Sequence, residues 1–289
     1  MFNNLHKKLM NESVISKQNT INKTISYKTW LTGAVKSWVG VILVGQWMFA
    51  LYILAQFSLP WISGQLDESQ FSHMIRGYRN GDVFNNAVLL LHVIPVMLIS
   101  LSATFQLFPS IRSSYPKFHR WNGRIFLFFG FVGAISGLYM TWIIGSRLSD
   151  LGALGVTLNG ILIPIFVYFA WRTAVQKNVS LHRRLAVHAF ILINGVWSVR
   201  LYLMAWFMVN QGPLGNSAKI DGPADIAISF ASFIIPMAVA ELVFWSERRT
   251  TTRALIIAAV AVSLAVLITL LGVYAASTMM WLPRITATF

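Results

Sequence analysis

Seven stretches of about 20 mainly apolar residues are the feature that most constrains how this chain of 289 residues folds. Within a bilayer a helix satisfies its own backbone hydrogen bonds, so each stretch predicts a membrane-spanning helix. Composition agrees, because 11% of the residues are charged, whereas soluble domains carry about 25%. We therefore predict an all-α, polytopic membrane protein with seven spans, at residues 37–59, 86–108, 124–145, 152–174, 185–209, 224–246 and 254–281.

The chain divides into two predicted parts. Residues 1–36 are rich in Asn, Ser, Thr and Lys and have too little apolar content to fold alone, so we expect a polar cytoplasmic tail. Residues 37–289 form the transmembrane domain, with spans two to five (85–210) as a four-helix core. The connections between spans are short and leave no room for a separate soluble domain.

The 23 Lys and Arg residues are distributed unevenly between the two predicted sides of the membrane. The N-terminal tail and the connections predicted on its side hold 17 of these basic residues, and the connections on the other side, with the C-terminal end, hold 5. The remaining one, Arg200, lies within a span. Cytoplasmic loops carry the excess of basic residues, so we predict the N-terminus inside, the C-terminus outside and a location in the bacterial inner membrane. Short basic loops beside spans attract anionic lipid head groups, which are therefore the expected partner instead of nucleic acid.

Several kinds of chemistry lack the residues that they need. The chain has no Cys, which excludes disulfides, thiolate zinc sites and iron–sulfur clusters. Its nine Asp and Glu residues are too few and scattered for a carboxylate-rich metal site, and the sequence contains neither a Gly-x-Ser-x-Gly nor a His-Glu-x-x-His motif. We expect no protein-bound metal ion and find no support for hydrolysis.

Ionisable and strongly polar residues inside spans are costly and usually face the bundle. Their distances from the span ends sort them into two levels, one in each leaflet. The outer level contains His92, Asn159 and Arg200, and the inner level contains Gln106, His119, Arg124, His182, Arg184, His188 and Glu241. His182 and Arg200 are 18 residues apart, so they share one face if span five is a continuous helix.

A His-Arg pair occurs at the cytoplasmic entrance of two spans. His119-Arg120 precedes span three and His182-Arg183 precedes span five, which suggests two similar helical hairpins. Two interpretations remain open for these residues: anchoring to lipid phosphates and site chemistry. Glu241 is the predicted neutralising partner of Arg124 or Arg184.

This ordered set of polar residues resembles a known family. His92, Gln106, the His119-Arg120-Trp121-x-Gly123-Arg124 block, the His182-Arg183-Arg184 block and Arg200 are similar to the pattern of the bacterial membrane-protein family 2306 of the domains of unknown function. The resemblance covers roughly residues 85–210. It implies a polytopic membrane protein with a shared polar constellation and implies no activity.

A more distant similarity is to four-helix membrane cytochromes of the b561 and ferric-reductase type, which hold haem between histidines of neighbouring helices. That similarity implies haem b, with His119 and either His182 or His188 as axial ligands and with Arg120, Arg124 and Arg184 near the propionates. At the outer level His92 is matched in depth by Asn159 and Arg200 instead of a second histidine. A two-haem relay is therefore not expected.

Three functions remain open from the sequence. The first is a redox protein that uses haem b or holds a quinone at the outer level. The second is a transporter or solute-binding protein in which Arg200 selects an anionic group, and the third is a structural or assembly role. Whether the protein is an enzyme is left open.

Overall fold

The computed structural model describes residues 2–71, 77–249 and 251–288, with side chains described at residue 18 and from residue 23 onward in these ranges, Phe71 excepted. The described residues are helical, with connecting turns and no β-strand. The α-helices are α1 (Phe2–Ile53), α2 (Leu59–Ile62), α3 (Val83–Ser102), α4 (Pro109–Ser114), α5 (Pro116–Tyr139), α6 (Asp150–Val175), α7 (Val179–Ile193), α8 (Gly195–Asn210), α9 (Pro223–Arg249), α10 (Thr252–Ala276) and α11 (Leu282–Thr286).

Six helical segments of the described chain are long and apolar enough to cross a membrane. If the bent pair α7–α8 forms one further span, the total is seven. Short π-helical or 3-10 stretches extend several of them, at Leu54–Ser58, Ala103–Leu107, Met140–Ile144 and Ser277–Trp281. The prediction of an all-helical membrane protein with several spans is confirmed.

Side-chain caps set where several helices begin. Asp82 accepts a hydrogen bond from the amide of Asn85 at the start of α3. Ser149 and Asn178 accept bonds from Gly152 and Leu181 in the same way at α6 and α7. Each cap satisfies one of the amides that a helix leaves free in its first turn.

The first helix begins well before the predicted span. The sequence places the span at 37–59 and treats 1–36 as unable to fold alone, whereas α1 runs without interruption from Phe2 to Ile53. Leu31 is only 6% exposed and joins a core cluster with Leu255 and Val262 of α10 and Val239 of α9. The segment is helical because the span that follows removes the cost of helix nucleation, and α9 and α10 cover apolar side chains between Tyr27 and Val35.

The fifth span is broken. Helices α7 and α8 meet at Asn194 with a bend of 57°. The condition on which His182 and Arg200 were expected to share one face, a continuous helix, is therefore not met. The break exposes backbone carbonyls within the membrane, and these need partners from neighbouring helices.

Two neighbouring helices stabilise that break. The Asn159 amide of α6 donates a hydrogen bond of 3.1 Å to the carbonyl of Leu192. Gln46 of α1, 1% exposed, donates one of 2.8 Å to Asn194 Oδ1. Gly195 packs directly on the Asn159 side chain, where a Cβ atom would lie 2.5 Å from Nδ2.

The bundle core is formed by several buried clusters. One joins α3, α5, α6 and α7 through residues such as Ile99, Phe126, Ala170 and Phe190, as the predicted four-helix core requires. A larger one joins α1, α8 and α10 with residues such as Phe49, Trp197 and Trp281. Helices outside spans two to five, α1 and α10, thus also contribute buried residues to the core.

Polar contacts order the connection between α2 and α3. Asp67 accepts hydrogen bonds from the Ser69 hydroxyl, the Ser69 amide and Asn80 Nδ2. These bonds, led by the one from Asn80, lower the pKa of the exposed Asp67 carboxyl to about 2.

Candidate functional site

The structure groups the predicted polar residues into three places instead of two levels. His119, His182 and Gln106 lie near one membrane surface, where α3 ends and α5 and α7 begin. His188, Arg184 and Glu241 form a separate ion-pair cluster between α7 and α9. His92 and Arg200 lie in the other leaflet, and we name these groups the His119–His182 site, the Glu241 cluster and the His92–Arg200 site.

At the His119–His182 site the two histidines are close enough to interact electrostatically. His182 Nδ1 lies 2.9 Å from the carbonyl oxygen of Ala170. A carbonyl can only accept, so Nδ1 of His182 carries the proton and Nε2 of the neutral ring keeps its lone pair. This arrangement orients an imidazole for coordination through Nε2.

Two buried polar atoms at this site have no partner among the described residues. They are Nδ1 of His119 and Nε2 of Gln106. The Gln106 side chain packs on Gly123, which lies one turn beyond His119 on α5. A Cβ atom added at Gly123 would lie 3.2 Å from Gln106 Oε1. Buried polar groups are normally hydrogen-bonded, so these two atoms are available to a bound molecule or to water.

Aromatic side chains close the membrane side of the same site. The rings of Phe126 and Phe190 are stacked at 5.7 Å, about two helical turns beyond His119 and His182. Beyond them Gly130 lets the Ile193 side chain approach the backbone of α5 closely. Phe126, Phe190 and Ile193 thus bound the site on the side of the packed core.

The three predicted arginines are exposed or make their contacts elsewhere. Arg184 forms a two-pronged ion pair with Glu241, and Arg124 lies over the exposed ring of Trp121 at 5.0 Å. Arg120 is exposed on the first turns of α5. Arg112 of α4 is close enough to interact electrostatically with His119, and it was not among the predicted site residues.

The Glu241 cluster accounts for His188. The Glu241 carboxylate lies 2.6 Å from His188 Nε2 and 2.6 Å from Arg184 Nη2. The His188 ring packs between Phe166 and Phe244. His188 is thus held by its hydrogen bond to Glu241, and of the two partners predicted for Glu241 the structure selects Arg184.

The His92–Arg200 site brings together side chains of α1, α3, α5 and α8. His92 Nδ1 lies 3.0 Å from Ser136 Oγ, whose own hydrogen is donated to the carbonyl of Val132 at 2.8 Å. Ser136 therefore accepts from His92, which leaves His92 Nε2 unprotonated in the neutral ring. The positive charge of Arg200 lies close enough to interact with His92.

Asn159 is not part of this site. The sequence places it at the depth of His92 and Arg200, but the structure uses it to hold the break between α7 and α8. The sequence analysis also missed Ser136, Gln46 and Asn194. The dipeptide Asn194-Gly195 inside an apolar stretch is a signal that could have indicated the break.

Apolar layers separate the His119–His182 site from the His92–Arg200 site. Phe126, Leu127 and Phe190 form one buried layer, and Ala134, Leu192 and Phe233 form the next. The two sites therefore lie on opposite sides of a packed core. Within the described residues no group of three or more His, Asp and Glu side chains could hold a metal ion.

The polar pattern extends over the region that matches a known family. Residues 89–244, more than half of the chain, match the family described as predicted membrane protein (DUF2306). The chain belongs to this family. The matched region includes α9 with Glu241, and so extends beyond the residues 85–210 on which the sequence resemblance rested. No curated protein and no solved structure matches the chain.

Proposed function

We propose that this protein binds one haem b at the His119–His182 site and transfers electrons at the membrane surface. The observation that carries the proposal is the pair of histidines on neighbouring helices, His182 with its Nδ1 hydrogen donated to Ala170 and His119 with a buried, unpartnered Nδ1. When bound, haem supplies one-electron chemistry.

The residues present fit that group. His119 and His182 would hold the haem through ring nitrogens, and the unpartnered Gln106 amide would donate a hydrogen bond beside them. Arg112 and Arg120, both exposed, would pair with propionates on the side of the site away from Phe126 and Phe190. The stacked rings of Phe126 and Phe190 give the site an apolar wall on the side of the packed core.

The basic residues support an orientation for this site. The excess of Lys and Arg in the connections on the His119–His182 side favours that side as cytoplasmic, in a bacterial inner membrane. An electron donor or acceptor would then reach the haem from the cytoplasm. The packed layers between the two sites favour a single haem site over a continuous solute path.

An absorption spectrum tests the proposal. The protein is produced in haem-sufficient cells, purified in detergent, and recorded oxidised and after reduction with dithionite. We expect a Soret band that shifts on reduction, with haem b stoichiometric to protein. H119A and H182A should each lose the band, whereas H188Q should keep it because His188 is held by Glu241.

The controls separate haem loss from misfolding. Each variant must elute as one species in size-exclusion chromatography, and H92A, at the other site, should retain the haem of the wild type. A colourless wild-type protein that also fails to bind added haemin would contradict the proposal. Full haem retention in both H119A and H182A would contradict the ligand assignment.

A further inference from the structure

Two arginines lie close together in the leaflet that contains His92. Arg200 of α8 and Arg284 of α11 are both partly buried and near enough for their charges to interact. The hydrogen bonds that they donate go to carbonyls four residues earlier in the chain: Arg200 to Val196 at 3.0 Å in α8, and Arg284 to Met280 at 3.3 Å in the π-helical stretch before α11. Most of the donors of both guanidinium groups remain available.

Aromatic rings of α1 hold the two guanidinium groups. Arg200 lies 5.6 Å from the ring of Phe49, and Arg284 lies 5.9 Å from the ring of Tyr52. These two rings stack on each other at 6.0 Å. The surface formed by Phe49 and Tyr52 thus orients both cations, but aromatic rings do not neutralise their charge.

No acidic side chain of the described residues pairs with either arginine. The ion pairs of the described chain involve Arg147, Arg183, Arg184 and His188. The segment 72–76 contains no acidic residue in its sequence. Two like charges in a medium of low dielectric constant repel strongly, so their approach favours an anion between them.

Buried hydrogen-bond donors next to these arginines point to the same kind of ligand. Trp281 is fully buried and packs on Phe49, with ring centroids 5.5 Å apart. Its indole nitrogen, like that of the buried Trp197 in the same cluster, has no partner among the described residues. An indole N–H can only donate, so an acceptor is the missing partner.

We propose that Arg200 and Arg284 form a binding site for a phosphate group. Guanidinium groups bind phosphate through paired, charge-assisted hydrogen bonds, and two of them neutralise its charge. The phosphate belongs either to an anionic phospholipid of the same leaflet or to a soluble phosphate compound. The site is separate from the His119–His182 site and does not depend on haem binding.

The test uses the full-length protein, freed of lipid in detergent, with two probes. Phosphatidylglycerol binding is measured by native mass spectrometry, with phosphatidylcholine as the reference lipid, and inorganic phosphate is titrated in a thermal-unfolding assay at constant ionic strength. The variants are R200Q and R284Q. R147Q is the matched control, because Arg147 also lies over an aromatic ring but is already paired with Asp150.

We expect the wild type and R147Q to bind at least one probe equally well. R200Q and R284Q should each weaken that binding about tenfold to a hundredfold, since each removes charged hydrogen bonds, and R200K should restore part of it. If phosphatidylglycerol binds and inorganic phosphate does not displace it, the ligand is a lipid. If inorganic phosphate binds by itself or displaces phosphatidylglycerol, the ligand is a soluble phosphate compound.

Two results would overturn the proposal. One is a wild-type protein that binds neither probe. The other is that R147Q, R200Q and R284Q all bind the probes with the same affinity. If R200Q does not elute as one species, R284Q decides the matter, because Arg284 lies on a short helix near the chain end and is not a core residue.

Discussion

Glu241 shows how a single acidic residue organises basic neighbours inside a membrane bundle. Its carboxylate binds Arg184 through two hydrogen bonds and His188 through one, and His188 is almost fully buried. Removing the carboxylate charge leaves the buried imidazole without its partner. The role that the structure assigns to this cluster is stabilisation of the contact between α7 and α9.

We predict that E241Q lowers the free energy of unfolding by about 1–3 kcal/mol, the cost of leaving a buried polar group poorly partnered. Thermal unfolding in detergent, followed by circular dichroism, measures the change. The control is E247Q, whose carboxylate pairs with the half-exposed Arg183 and should contribute about 1 kcal/mol or less. Equal effects of the two variants would argue against a special role for Glu241.

At the scale of elements, the break between α7 and α8 depends on close packing as well as on hydrogen bonds. Gly195 follows the break and lies against the side chain of Asn159. Any Cβ atom there would displace the amide that holds the Leu192 carbonyl. By contrast, a Cβ atom at Gly133 of α5 would meet no atom of the described structure within 4 Å.

We therefore predict that two glycine substitutions affect the free energy of unfolding differently. G195A should lower the unfolding free energy by about 1–3 kcal/mol through crowding and an unpaired carbonyl, whereas G133A should be neutral or stabilise by up to about 1 kcal/mol, since Ala favours helix. The assay is again thermal unfolding in detergent. A stable G195A protein would mean that Asn159 is free to move and that its bond to Leu192 contributes little.

At the scale of the whole molecule, the distribution of basic residues predicts which side each connection faces. The chain has no Cys, so single cysteines can be placed without background labelling. Ser113 lies in the connection before α5 and Ala218 in the connection before α9, and both are exposed. The predicted orientation puts Ser113 on the cytoplasmic side and Ala218 on the opposite side.

In intact cells, a membrane-impermeant maleimide should label A218C and not S113C. After the membrane is permeabilised, both variants should react, which shows that both thiols are accessible. The reverse pattern would contradict the N-in, C-out orientation and would place the haem site on the outer face.

The sequence by itself determined the class of fold and most of the span positions. Lipid forces every span to be a helix, and a run of about 20 apolar residues leaves few alternatives. It also indicated which histidines, arginines and amides are important, because such groups are costly in lipid. Their combined spacing was enough to predict the family.

Only the tertiary structure decided which of these residues meet. The sequence gives only the depth of a residue along its span, and by depth Asn159 and Arg200 were assigned to the same site. The break at Asn194 changes the direction of the fifth span, and this change is not visible in the depth of either residue. Pairing depends on which helices are neighbours: α9 brings Glu241 to His188, and α11 brings Arg284 to Arg200. The sequence pattern carries no record of these contacts, because apolar surfaces specify burial but not a partner.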